Sequence, residues 1–395
     1  MLAQLLNRNL LLLFGCQTLF VSGTVVLVTV GGIIGHQLAP DPVLATLPVA
    51  LMVVGTAVAT IPAALTMQAI GRRFGFMIGA GIALLGAYLV TLALSAESFG
   101  LFSAGTFLMG SSIGFSQQFR FAAAESVSGD AVSYAISFLL MASVLGAFAA
   151  PEIIAYSSMS GAETVYGTAF RIVMVCYVIA ALLLLGIRSS AGTQVSPARG
   201  RSSVRDFVTR PKFVTAVLAG MIGQGVMVYV MTATPVNMNV SMGFSIEETS
   251  SVVRAHVIAM YLPSLLTPWL IGRIGLARTM LLGTACMAVT LSIGLAGHQY
   301  LHYWGSMVLL GVGWNFLFVS GTTMLTQTYS DEERFRAQAS NDFAVFSTSA
   351  TASLLAGTLL HAVGWGWALI SAAPALLVML MALGWLGRTQ KPVNV

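Results

Sequence analysis

Residues 61–72 read IPAALTMQAIGR, and residues 262–273 read LPSLLTPWLIGR. Laid over one another at an offset of 201, they share Pro62/Pro263, Leu65/Leu266, Thr66/Thr267, Ile70/Ile271, Gly71/Gly272 and Arg72/Arg273. The same offset pairs Gly110 with Gly311, Phe115 with Phe316 and Asp130 with Asp331. A single match between apolar segments means little. A constant offset at corresponding places in both halves marks an internal repeat. Each copy is an apolar run closed by Gly-Arg, so the number of such runs decides the architecture.

Twelve runs are found, at roughly 10–34, 45–70, 74–96, 101–123, 131–157, 170–187, 213–236, 249–271, 277–296, 303–328, 341–363 and 365–386. A membrane span needs about 20 apolar residues, and each run is long enough with some tilt. All are expected to be helical, because a backbone facing lipid must satisfy its polar groups within its own segment. Composition agrees. Of 395 residues 57% are hydrophobic, only 8% are charged, and the mean hydropathy is +0.88. A soluble domain carries about 25% charged residues, so a water-facing enzyme is excluded, as are disordered and fibrous chains. Cys16, Cys176 and Cys286 all sit inside apolar runs, which argues against disulfides and against a zinc site. The N-terminal apolar stretch is too long for a signal peptide and lacks a small-residue cleavage site.

One polar stretch interrupts the pattern: residues 188–212 read RSSAGTQVSPARGRSSVRDFVTRPK, with six basic residues and one Asp. It divides the spans six and six. The expected domains are therefore a bundle over 1–187, a linker over 188–212 and a second bundle over 213–395. Fifteen of the eighteen Lys and Arg residues fall on one side of this arrangement, and the loops near 36–44, 97–100, 158–169, 237–248 and 297–302 have none. The positive-inside rule then puts both termini and the linker in the cytoplasm of a cell's inner or plasma membrane. The net charge of +5 is thus a topology signal. No basic patch interleaved with aromatics points to nucleic acid.

The turn after the second run reads Ala64-Leu65-Thr66-Met67-Gln68-Ala69-Ile70-Gly71-Arg72-Arg73. With it the chain resembles the major facilitator superfamily of transporters over its whole length. The family's signature at this place is a small residue, an Asp, then Gly and two basic residues. The Gly-Arg-Arg core is present, Gln68 replaces the usual Asp, and Ala64 replaces the usual Gly. The resemblance implies a gating role for Arg72 and Arg73 at the inner side. Anchoring of a tight turn to headgroups is the plainer reading. Two signatures of the family's drug–proton antiporters are incomplete. Thr106 stands where they have Arg, and Gly146-Ala147-Phe148-Ala149-Ala150-Pro151 is one Gly short of their pattern. Import and export both stay open.

Family geometry places the first, fourth, seventh and tenth spans around a central cavity. Gln17, Gln117, Gln224 and Asn315 lie on those spans at comparable depth, so they are expected to line a water-filled path, with Tyr229, Tyr261 and Trp314 as aromatic walls. Amide bonding between helices is the alternative. Arg254 lies roughly 9 Å outward of its span's centre by helical rise and suits bidentate capture of an anionic substrate group. Headgroup contact or pairing with Glu247 or Glu248 competes. Arg120 and Asp342 share a membrane level in different halves and form a candidate inner gate, with Glu125 as a rival partner for Arg120. Glu152 and Arg171 share a depth in sequential spans and form a candidate proton-coupling pair, against a static ion pair or pairing with Glu163.

No HExxH, P-loop lysine, GxSxG or CxxC motif suggests catalysis. His256 near Glu247 and Glu248 is the nearest approach to an intramembrane enzyme, and a two-fold repeat fits a channel poorly. The sequence therefore describes an all-α integral membrane protein with twelve spans in two pseudo-symmetric six-helix bundles, the fold the resemblance implies. It is expected to be a monomeric secondary carrier moving a small organic solute by alternating access, in a form with or without proton coupling. A proton-antiport efflux pump is the alternative. No cofactor, metal or nucleic-acid partner is expected.

Overall fold

The computed structural model describes residues 7–41, 44, 47–159, 166–188 and 207–389. Among these residues there are helices and no strands. In chain order they are α1 (Arg8–Leu38), α2 (Leu47–Ile70), α3 (Arg72–Ser95), α4 (Phe99–Ser116), α5 (Phe119–Glu125), α6 (Ala131–Met159) and α7 (Gly167–Leu185). Then follow α8 (Pro211–Val236), α9 (Ile246–Tyr261), α10 (Thr267–Ile274), α11 (Leu276–Ala296), α12 (Tyr300–Leu325) and α13 (Arg334–Thr389). Nine helices among the described residues are long and apolar enough to cross a membrane, and α9 and α10, bent by 52° at their junction, make ten if the bent pair counts as one span. The last two apolar runs of the sequence both fall in the 56-residue α13, which is broken at Gly364, where φ is 77°.

Contacts sort the chain into two units, Met1–Arg199 with Gln338–Phe343, and Gly200–Ala337 with Ala344–Val395. In the first, α4 packs on α2 and α3, α1 on α6 and α7, and α3 on α7. In the second, α12 is the hub, packed on α8, α9 and α11. These interfaces are built on small residues. A Cβ on Gly110 of α4 would collide with the Met52 carbonyl of α2. One on Gly311 of α12 would come within 2.8 Å of the His256 carbonyl of α9. The repeat identity Gly110/Gly311 thus has a packing cause, because each glycine lets two helices approach backbone to backbone. Large apolar side chains are turned outward instead, such as Leu182 at 61% exposure and Trp367 at 66%, as befits helices whose solvent is lipid.

The other end of the repeat differs from expectation. Gly71 caps α3 with φ 83° and ψ 160°, a conformation that favours glycine. Its counterpart in the second unit is Gly275, with φ 84° and ψ 164°, which caps α11. Gly272 and Arg273, which the offset pairs with Gly71 and Arg72, lie inside α10 and its last turn. Three extra residues of helix shift the turn, so the Gly-Arg identity is not a structural equivalence.

Candidate functional site

In the first unit the helix begun by α4 breaks at Gln117 and Gln118 and restarts as α5. The break carries the Gln118 side chain inward, where it is fully buried. Its Nε2 donates to Asp342 Oδ2 at 2.8 Å. Asn341 Nδ2 donates to Asp342 Oδ1 at 2.9 Å, and the Arg120 guanidinium closes on the same oxygen. The side chains of Arg120 and Asp342 are 4% and 0% exposed. Arg120 also lies over the Phe121 ring, 4.7 Å from its centroid.

A second pair joins this one. Arg72, the first residue of α3 after the Gly71 turn, grips Glu125 through Nε at 2.8 Å and Nη2 at 2.5 Å. Nη2 also donates to Gln338 Oε1 at 2.8 Å, and Gln338 Nε2 donates to Glu125 Oε1 at 3.1 Å. Gln118 links the pairs, since its Oε1 accepts from Arg72 Nη1 at 3.5 Å. Two guanidinium and two carboxylate groups balance in charge, with amides filling the remaining positions. Burial of charge is tolerated on those terms. Arg120 takes Asp342 as its partner, and the alternative Glu125 is engaged by Arg72. Arg73 stands apart, its guanidinium 5.8 Å from the Phe74 ring centroid. Gln118, Gln338 and Asn341 were not singled out from the sequence. The spacing of Gln338, Asn341 and Asp342 is i, i+3, i+4, one helix face, and would have exposed a polar stripe on an otherwise apolar run.

The expected cavity amides divide differently. Gln17 Nε2 donates to Ser143 Oγ of α6 at 3.0 Å, and Gln117 is half-buried at the end of α4. Asn315 is fully buried. Its Nδ2 donates to the Met260 carbonyl and to Ser264 Oγ, each at 2.7 Å, and its Oδ1 accepts from Thr267 Oγ1 at 2.6 Å. Those three partners straddle the bend between α9 and α10. Asn315 is therefore a clamp on the bend rather than a wall of a wet path. Gln224 Oε1 accepts from Trp314 Nε1 at 2.7 Å. The Trp314 ring meets Tyr261 edge-on at 5.8 Å and stacks on Phe318 at 4.8 Å, and it is 4% exposed.

Three charged residues are less engaged than the sequence suggests. Arg254 is exposed and, among the described residues, pairs with neither Glu247 nor Glu248. Glu248 is spent on a capping box with Ser245 at the start of α9. Glu152 and Arg171 are both exposed, and no ion pair joins them. Rise per residue gave both side chains a common depth, but not a common face. Glu163 and most of the linker lie outside the described residues.

The second unit contains an opening of about 620 Å³ between α8 and the two halves of α13. Leu218, Met221 and Ile222 line it from α8, and Leu355, Ala375 and Val378 from α13. Tyr229 also faces it, its hydroxyl 3.0 Å from Ser371 Oγ. Ser347, Thr348 and Thr351 add a row of hydroxyls, and no lining residue is charged. Among the described residues no group of His, Cys, Asp and Glu could hold a metal ion.

Residues 227–394 match the sequence profile of the Major Facilitator Superfamily. The chain is 34% identical over 362 residues to the riboflavin transporter RfnT of Brucella anthropi, covering 91% of this chain and 90% of that one. Among solved structures it resembles the proton:xylose symporter XylE, with a TM-score of 0.79 at 15% identity over 95% of this chain and 94% of that one. It also resembles the fucose:proton symporter FucP of E. coli, with a TM-score of 0.74 at 15% identity over 95% and 98%.

Proposed function

The chain belongs to the major facilitator superfamily and is a multi-pass membrane transporter for a small molecule, and from that premise we propose that its substrate is riboflavin. The observation that carries this reading is the 34% identity to a riboflavin transporter across nine-tenths of both chains. Site chemistry supports it. Riboflavin is an uncharged ring system with a polyhydroxyl tail, and the opening in the second unit has no charged lining. Its volume lies in the range of small-molecule sites, about 300–1,000 Å³. Exposed Arg254 is not required by a neutral substrate.

Transport on this reading proceeds by alternating access, in a monomer with both termini cytoplasmic as the basic residues suggest. The paired charges Arg72–Glu125 and Arg120–Asp342 act as the lock on one side of the membrane. They hold residues 338–343 of α13 against α3 and α5, and that side opens when the segment leaves. The working test is uptake of labelled riboflavin by a riboflavin-requiring bacterium expressing the chain. Saturable uptake above that of the empty vector supports the assignment; uptake equal to the empty vector, with the protein present in the membrane, removes it.

A further inference from the structure

In the second unit α9 and α12 pack side by side, and polar contacts tie them at three levels. Near the start of both helices the Tyr300 hydroxyl donates to Ser251 Oγ at 3.2 Å. At the far end Asn315 holds the bend that follows Tyr261. Between the two, His256 Nδ1 lies 2.8 Å from the Met307 carbonyl oxygen. A carbonyl only accepts, so Nδ1 carries the ring proton and Nε2 is left as a bare lone pair. His256 has no exposed surface, and Nε2 finds no hydrogen-bond partner among the described residues. By helical rise the ring stands about 15 Å along α9 from Ile246, well inside the span.

Joining two helices at this level needs one donor on one carbonyl, which an amide or a hydroxyl would supply. The imidazole adds a base, and no neighbouring charge accounts for it. On α9 itself Glu247 and Glu248 are more than two turns away and Arg254 is exposed. α12 offers Tyr300, His302 and Tyr303, all four or more residues before Met307, and Tyr303 already accepts from Asn237 Nδ2 at 2.6 Å. α8 offers Lys212 at its start and Tyr229, whose hydroxyl pairs with Ser371. The turns Leu262–Leu265 and Asn237–Ser241, which also pack on α9, contain no titratable side chain.

We infer that His256 is a proton-binding site that couples this carrier to a proton gradient, with Nε2 as the atom that takes the proton when α9 shifts on α12. In the described arrangement a proton on Nε2 has no acceptor, so the ring is neutral. A shift that brings water to Nε2 lets the lone pair take a proton from one aqueous side, while Nδ1–H stays on the Met307 carbonyl. Return to the buried arrangement requires that proton to leave to water on the other side, so one proton moves per cycle and no other bond is made or broken. The 52° bend after Tyr261, where the helical ladder is already interrupted, gives α9 a place to move. The inference goes beyond the riboflavin reading and does not depend on which solute is carried.

The test uses the full chain in proteoliposomes, labelled riboflavin as the probe, and His256→Asn. The Asn Nδ2 keeps a donor at the place of Nδ1 but brings no titrating nitrogen. In wild type a gradient of one pH unit, in one of its two directions, is expected to accumulate riboflavin up to about tenfold, the ratio that one proton per solute carries. A protonophore is expected to abolish this accumulation. His256→Asn is expected to exchange riboflavin in counterflow and to accumulate none. Accumulation by His256→Asn equal to wild type, or wild-type exchange that ignores the gradient in both directions, overturns the inference and leaves the riboflavin reading in place. Loss of exchange and accumulation together in a folded His256→Asn marks a structural histidine and overturns it too. If wild type exchanges no riboflavin, that reading falls; in that case, or if His256→Asn does not fold, the proton site is decided without solute. Nuclear magnetic resonance of the ring nitrogens in histidine-labelled protein then gives the answer, with the His256 signal assigned as the one of five that is missing from His256→Asn or His256→Gln. A ring that takes up a second proton between about pH 8 and pH 5, the span around the ordinary imidazole value, while the protein stays folded, supports the site. A ring that stays neutral throughout overturns it.

Discussion

Arg120 and Asp342 offer a quantitative handle on the lock, because both are buried and their opposite charges meet. Arg120→Met leaves a carboxylate with no exposed surface and only Gln118 and Asn341 as donors. Asp342→Asn keeps an acceptor for only one of those two amides, which bond different carboxylate oxygens, and removes the charge that faces the buried guanidinium. Breaking a buried pair by removing one partner costs about 3–5 kcal/mol, whereas removing both charges is close to neutral. Each single variant is therefore expected to lose about 3–5 kcal/mol, and the double variant, close to neutral, far less than the sum of the two. Equilibrium unfolding by SDS titration in mixed micelles measures all four corners of the cycle. Single variants within about 1 kcal/mol of wild type would mean that the pair is not desolvated. A double variant whose loss equals the sum of the singles would mean that the two residues do not interact, and the lock would have to be sought elsewhere.

Other substitutions test the packing. Asn315→Leu strips three hydrogen bonds from the bend between α9 and α10 and is expected to cost about 2–4 kcal/mol, read as a lowered unfolding temperature. Gly110→Ala drives a Cβ into the Met52 backbone and should cost at least about 1–3 kcal/mol by SDS-titrated unfolding; a neutral result would mean that α2 and α4 are farther apart. Gly275→Ala, at φ 84°, is expected to destabilise by about 1–2 kcal/mol. By contrast Gly272→Ala, with nothing within 4 Å of its Cβ, is expected to be neutral or slightly stabilising in the same thermal unfolding assay. Equal effects at the two glycines would contradict the displaced turn.

What could be read from the sequence and what could not follow from different physics. Hydropathy sees how long an apolar run is, so the all-helical membrane architecture was legible. Repeat identities that mark close backbone approach, such as Gly110 and Gly311, were legible for the same reason: only one residue type fits. Gly272 misled because a fixed offset cannot register three added residues of helix. Glu152 and Arg171 misled because position along a helix gives depth but not facing. Asn315 was singled out by its depth along the helix, yet depth could not distinguish a wet wall from a buried clamp. Gln118 was missed because it belongs to a break between α4 and α5, and such a break leaves no mark in an apolar run.

Counterflow of riboflavin in proteoliposomes tests the transport claim most directly. Vesicles containing the purified chain and preloaded with unlabelled riboflavin are diluted into a trace of labelled riboflavin with no ion gradient. A saturable carrier for riboflavin should produce a transient accumulation of label that excess external riboflavin abolishes. Labelled riboflavin that enters these vesicles no faster than protein-free ones, while the chain remains folded in the bilayer, would contradict it.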